Sequence, residues 1–274
     1  MSFITLSYAD LVLASLLLLF AGALSVVLGL GLERNLAVAA ARMVVQLTLV
    51  GLVLKTLFAL VSPWWTGTAA LAMVLFAGRE VMARQKRGLG GAWTYGLGTA
   101  SLMLAGTVIT GLALTTQIRP DPWFDPRYAL PILGMVLGNT MNGVSIGLDR
   151  LLTAAARERA AIEARLALGH DRRRALSHLV RDACRAGMMH IVNAMSAAGL
   201  VSLPGMMTGQ ILAGVAPVEA VKYQILIMFL LAGATGIGVL AAVFAAAWRL
   251  TDDRHRLRLD RLAQAGDGGK TTGM

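Results

Sequence analysis

Four polar side chains recur as Asn139, Asn142, Ser145 and Asp149. Steps of three, three and four place them along one face of a helix. Amide and hydroxyl groups in such a row can pass a polar solute along by hydrogen bonds. The same stretch carries Gly134-x-x-x-Gly138 and Gly143-x-x-x-Gly147, and small residues four apart let helix backbones approach closely. Two readings stay open: a crowded helix contact held by Asn hydrogen bonds, or the polar wall of a transport path.

A second group follows: His190, Asn193 and Ser196, then Leu203-Pro204-Gly205-Met206-Met207-Thr208-Gly209-Gln210. Pro204 removes a backbone donor and Gly205 weakens the helix further. Carbonyls freed at membrane depth are tolerated where protein or a cavity satisfies them, and transporters present such breaks to substrate. Met206 and Met207 add a soft, adaptable surface. Arg42 and Gln46, four apart, share a helix face. An Arg inside an apolar segment must be paired, wetted or snorkelled to the interface. The candidate path is therefore Arg42, Gln46, Asn139, Asn142, Ser145, Asn193, Pro204, Gly205, Met206, Met207 and Gln210.

Carboxylates are missing from this set. Glu80 and Asp149 lie at the ends of apolar segments, and none lies well inside one. Proton- or sodium-coupled carriers usually need an intramembrane carboxylate, and hard cations want oxygen cages. His190 has no evident partner, and His170 and His178 fall in a basic stretch, so a metal site is left open. A chelated metal or an organic solute suits an Asn-, Gln- and Met-lined path better than a bare ion.

The elements that must position these residues follow from composition. Hydrophobic residues make up 57% of the 274 and charged ones 15%, against about 25% charge in a soluble domain. Seven apolar segments, 11–32, 36–61, 64–83, 93–116, 129–148, 188–216 and 221–248, are near the ~20 residues that cross a hydrocarbon core as helix. The period-2 alternation of a barrel is absent. The expected fold is an all-α integral membrane protein of about seven spans.

The formal charge of +10 is distributed unevenly. Arg34, the group Arg79, Arg84, Lys86 and Arg87, the arginines from Arg150 to Arg185, and the tail cations from Arg249 onward fall on one side. Arg119, Arg127 and Lys222 fall on the other. That asymmetry predicts an N-terminus outside and a C-terminus in the cytoplasm, and it accounts for the charge without nucleic acid. The first span has no basic residue before it and is expected to be retained rather than cleaved. One cysteine, Cys184, excludes an intrachain disulfide. The chain divides into a membrane domain over 1–265 and a disordered tail over 266–274. Lys270-Thr271 does not complete a phosphate loop, since Gln264 stands where the first glycine belongs.

Between spans five and six lies a basic loop, 149–187, of helical composition. Leu152, Ala155, Ile162 and Leu166 form an apolar stripe. Gly169 can end that helix, and Asp171 can cap another running to Arg185. A charged helical insert in an apolar chain is where a soluble partner would dock.

Three runs carry a family likeness: Asn139-Thr140-Met141-Asn142-Gly143-Val144-Ser145-Ile146-Gly147-Leu148-Asp149-Arg150, Glu163-Ala164-Arg165-Leu166-Ala167-Leu168-Gly169, and 200–214 around Leu203-Pro204-Gly205. With Tyr223-Gln224-Ile225 and Arg42 with Gln46-Leu47, they resemble the FetB-type iron-export ABC transporter permease family over most of the chain. The resemblance implies a multi-pass permease of the bacterial inner membrane, linked to iron and metal homeostasis. It implies a homodimer paired with a separate cytoplasmic FetA-type ATPase. Glu163, Ala164 and Gly169 would be the coupling element. The chain would bind no cofactor, with ATP hydrolysed by the partner. Arg165, and Arg181-Asp182, depart from the general pattern of ABC coupling loops. Read without the resemblance, the residues also allow an ATP-independent channel, a secondary transporter for a small solute, or a membrane scaffold.

Overall fold

The computed structural model describes residues 7–262; the expected tail 266–274 and Lys270-Thr271 lie outside them. The described chain is all helical: α1 (Tyr8–Val27), α2 (Glu33–Leu60), α3 (Pro63–Ala83), α4 (Trp93–Leu112, continued by a π turn Ala113–Ile118), α5 (Pro126–Arg157), α6 (Arg159–Ala167), α7 (Arg172–Ala197), α8 (Gly205–Leu212) and α9 (Pro217–Arg249). Local signals set many of the boundaries. Ser7 and Asp10 form a reciprocal capping box at α1, and Pro63 and Pro217 open α3 and α9, where a missing N–H costs nothing.

Among the described residues, five stretches are long and apolar enough to cross a membrane: Ala9–Val27, Glu33–Leu60, Trp93–Ile118, Pro126–Arg157 and Pro217–Arg249. They correspond to the first, second, fourth, fifth and seventh expected spans. The third, α3, is an unbroken helix whose apolar run is cut short by Trp64 and Trp65 at one end and Arg79 and Glu80 at the other. The sixth, 188–216, is not one helix. α7 begins in the basic stretch at Arg172, capped by Asp171, which accepts from the Arg174 N–H at 2.7 Å. It ends at Ala197; Gly199 turns with φ +88° and Pro204 starts the short α8. The expected helix ending at Arg185 thus continues for three more turns, because the run after Cys184 holds no proline and its one glycine, Gly187, is packed against α5.

The basic loop changes accordingly. α5 runs on to Arg157, so only 158–171 stand outside α5 and α7. Of the expected stripe, Leu152, Ala155 and Ile162 are fully enclosed and Leu166 is partly buried, and the stripe is shared between α5 and α6. α6 ends in a Schellman turn: His170 N–H bonds to the Arg165 carbonyl and Gly169 N–H to that of Leu166. Gly169 has φ +86°, a conformation that favours glycine.

α5 is the central element, packed against α3, α4, α7 and α9. Its glycines decide how close those neighbours come. A Cβ on Gly143 would lie 2.8 Å from the Gly187 carbonyl oxygen of α7, and one on Gly187 would lie 2.7 Å from that of Gly143. Gly147 faces Val243 and the Ala183 carbonyl, whereas Gly138 has open space beside it. Of the two small-residue pairs, the second therefore makes the close contact. α1 and α2 stand at the edge of the bundle, with Leu57 the only core side chain of α2. Ser25 fixes their elbow, donating to Glu33 at 3.0 Å and accepting from the Leu32 N–H at 2.9 Å.

Candidate functional site

Polar groups from four helices meet where α2 begins, α3 ends and α5 approaches its C-terminus. Two adjoining clefts of about 720 and 680 Å³ share Arg84 as a common wall. The first is lined by α2 and α3, with Arg34, Asn35, Arg42, Gln46 and Glu80. The second lies between α5 and α7, with Asn142, Ser145, Asp149, Arg150, Asp182, Arg185 and His190. Both open at the end of the bundle that carries α6.

Sequence dictates the convergence. Glu80 and Arg84 are four apart on α3, so they project from one face. Asn142, Ser145 and Asp149 form the matching row on α5. Arg84 Nη1 donates to Asn142 Oδ1 at 2.6 Å. One turn further, Gln85 Nε2 donates to the Ser145 carbonyl at 3.1 Å, and the Lys86 N–H donates to Asp149 Oδ1 at 3.1 Å. The end of α3 is therefore laced to α5 by three side-chain contacts. Arg42 pairs with Glu80, tying α2 to α3, and Arg150 pairs with Asp182 at 2.7 Å, tying α5 to α7.

The electrostatic balance of the cleft is positive. Glu80 and Asp182 are matched by Arg42 and Arg150, and Asp149 accepts a backbone N–H. Among the described residues, Arg34, Arg84 and Arg185 have no carboxylate partner. Guanidinium forks beside Asn amides can grip a planar or tetrahedral anion with several donors at once. No group of three His, Cys, Asp or Glu side chains capable of holding a metal ion occurs among the described residues. The chemistry on offer is recognition and release by hydrogen bonding and charge.

The residues expected to line a path divide. Arg42, Gln46, Asn142 and Ser145 reach the clefts. Asn139 instead donates to its own helix, to the Met135 carbonyl at 2.9 Å. Asn193 is exposed on the far part of α7. Pro204, Gly205, Met206, Met207 and Gln210 form the α8 segment against α9, apart from the clefts. Gln210 Oε1 is buried without a hydrogen-bond partner among the described residues. Sequence reading passed over Arg84, Glu80, Arg185 and the Arg150–Asp182 pair as site residues. Arg84 and Arg185 read as charges marking one side of the membrane, and Glu80 as a carboxylate at the end of a span. The i, i+4 pair Glu80/Arg84 facing a polar row of the same pitch was the available signal.

α6 sits beside this mouth. Glu163 is exposed and pairs with Arg159 at 2.8 Å, and Ala164 and Gly169 are exposed as well. Behind them Arg165 reaches His178 and the Ala175 carbonyl on α7. His178 Nε2 lies 3.1 Å from Glu158, the residue that links α5 to α6. Hydrogen bonds from His178 and Arg157 hold the Glu158 carboxyl below its usual range. The outward face of α6 is thus free while its inner face is fixed to both neighbours.

Comparison with known proteins gives a consistent kinship. The sequence pattern of the "Uncharacterised protein family (UPF0014)" matches residues 8–250. The "UPF0014 membrane protein slr1647" of Synechocystis sp. is 37% identical over 83% of this chain and 87% of its own length. The "UPF0014 membrane protein STAR2" of Oryza sativa subsp. japonica is 34% identical over 88% and 85%. The "Probable iron export permease protein FetB" of Escherichia coli is 33% identical over 85% and 88%. No solved structure matches the chain.

Proposed function

Since the chain belongs to the UPF0014 family of membrane proteins, we propose that it is the membrane-spanning permease subunit of an ABC transporter, driven by a separate cytoplasmic ATPase. The observation that carries this reading is the juxtaposition of a charged cleft with an outward-facing helix. α2, α3, α5 and α7 enclose the cleft, and α6 projects from the same end with Glu163, Ala164 and Gly169 exposed. A relative named as an iron export permease supports export as the direction and iron as cargo. The excess of guanidinium groups favours iron carried as an anionic complex over the bare ion.

In this proposal α3 and the α7–α8 pair complete seven crossings, with the N-terminus outside and the α6 end in the cytoplasm of a bacterial inner membrane. Residues 1–265 act as one permease domain, with 266–274 as its tail. Two copies assemble with two ATPase subunits, and the exposed apolar faces of α1 and α2 meet lipid or the second copy. ATP closure pushes on α6, and the Glu158–His178–Arg165 contacts pass that motion to α5 and α7, which line the cleft. The test is stimulation of ATP hydrolysis. Adding the permease in lipid to the candidate ATPase should raise its turnover severalfold, and unchanged turnover would argue against the pairing.

A further inference from the structure

A separate cavity of about 740 Å³ lies between α7 and α9, away from the charged cleft. Its two walls differ in kind. On α7, Arg173, Ser177 and Arg181 succeed one another every four residues, so they form one polar ridge. On α9, Leu240, Phe244 and Trp248 keep the same interval and form an apolar ridge. Leu176 and Val180 make the floor. Each ridge runs about 12 Å, the rise of eight helical residues.

Arg173 and Arg181 are exposed and have no carboxylate partner among the described residues. The apolar ridge is 42%, 58% and 59% exposed at its three members, although it belongs to a helix apolar enough to span a membrane. It continues the outward strip of α9 that includes Phe229. An exposed apolar strip on a helix of membrane-spanning length is a surface suited to hydrocarbon, and the groove opens along it. Trp248, at the end of α9, marks the depth where amphipathic rings settle at the headgroups.

We propose that this groove is a binding site for an anionic phospholipid. The phosphate sits between Arg173, Ser177 and Arg181, and the upper part of an acyl chain lies along Leu240 and Phe244. Charge complementarity and continuity with the outward apolar strip select this occupant: a soluble anion would leave the apolar ridge wet, a lipid without phosphate would leave both guanidiniums unmatched, and a zwitterionic phospholipid would bring its own cation against them. Arg is suited to the role because its fork donates two parallel hydrogen bonds to a phosphate while its stem lies on apolar surface.

The full chain, purified in mild detergent, can be titrated with phosphatidylglycerol or phosphatidylcholine and bound lipid counted by native mass spectrometry. Phosphatidylglycerol should be retained preferentially, and the Arg173→Ala/Arg181→Ala double variant should lose that preference by about tenfold or more. Phe244→Ser should weaken retention of the lipid while leaving helical content unchanged. Glycerol phosphate at equal concentration should not displace the lipid. Equal retention of the two lipids, or undiminished preference in the double variant with its melting temperature preserved, would overturn the proposal. Displacement by glycerol phosphate would overturn it in favour of a soluble-anion site, and loss of preference only on mixing with another protein would point to a protein-docking face instead.

Discussion

Arg84, at the C-cap of α3, donates to Asn142 on α5 at 2.6 Å, and this one bond stands where the two charged clefts meet. It joins an arginine with no carboxylate partner among the described residues to an amide in the middle of a polar row. Under the proposed transport function, cargo crossing from one cleft to the other would meet this bond, which is the reason for testing it. Arg84→Ala and Asn142→Ala should each slow transport by about tenfold, equivalent to about 1.4 kcal/mol of barrier. The double variant should be little slower than the worse single one, since the two act as a unit. Initial rates in proteoliposomes check this; additive losses would mean that the residues act separately.

The α5–α7 contact makes a different demand. With the Gly143 and Gly187 backbones this close, a methyl group at either position has no room. Gly143→Ala should cost about 1–3 kcal/mol by overpacking, read as a lower melting temperature. Gly138→Ala, which meets open space, is the matched control and should hold or raise the melting temperature, since alanine is about 1 kcal/mol better than glycine inside a helix.

Helix positions were largely legible in the sequence, and the site only in part. Hydropathy located α1, α2, α4, α5 and α9 because lipid imposes a long apolar run on each. It separated the sixth span from the helix before it because α7 is amphipathic: its first turns carry Arg172, Arg173 and Arg174, which read as a helix of the basic loop, while its later turns read as membrane. Composition could not reveal that one helix continues through both. Asn142 and Ser145, picked out by spacing, do reach the cleft, but Arg84, the partner of Asn142, was not picked out. A cation near a span end serves orientation and recognition alike, and only the facing helix distinguishes them. Asn139 fitted the same spacing, yet its amide turned back onto the Met135 carbonyl.

Coupling should depend on the exposed face of α6. Glu163→Arg should weaken co-purification of the ATPase without lowering the melting temperature, because the one side-chain hydrogen bond of Glu163 among the described residues is to Arg159 on its own helix. Gly169→Val should weaken it as well, by forcing the φ +86° turn that sets the end of α6, a conformation costing a β-branched residue about 1–2 kcal/mol. Retained co-purification in both variants would remove α6 from the coupling role.

The junction behind α6 should also respond to acid. Glu158 is held below its ordinary value of 4.5, so its carboxylate contacts are fully stabilising above that pH. They are lost as pH falls through the lower value in the folded protein. Hydrogen exchange of the α6 amides should accelerate over that acid window, and Glu158→Gln should remove the pH dependence. Identical acid profiles in the parent and the variant would place the response elsewhere.

The most direct measurement is iron efflux from proteoliposomes containing the permease, with the candidate ATPase and ATP each present or omitted. Iron movement is expected only when permease, ATPase and ATP are all present, faster for iron given as an anionic chelate, and slowed about tenfold by Arg84→Ala. Movement that proceeds equally without the ATPase or without ATP would contradict the reading of this chain as an ABC permease.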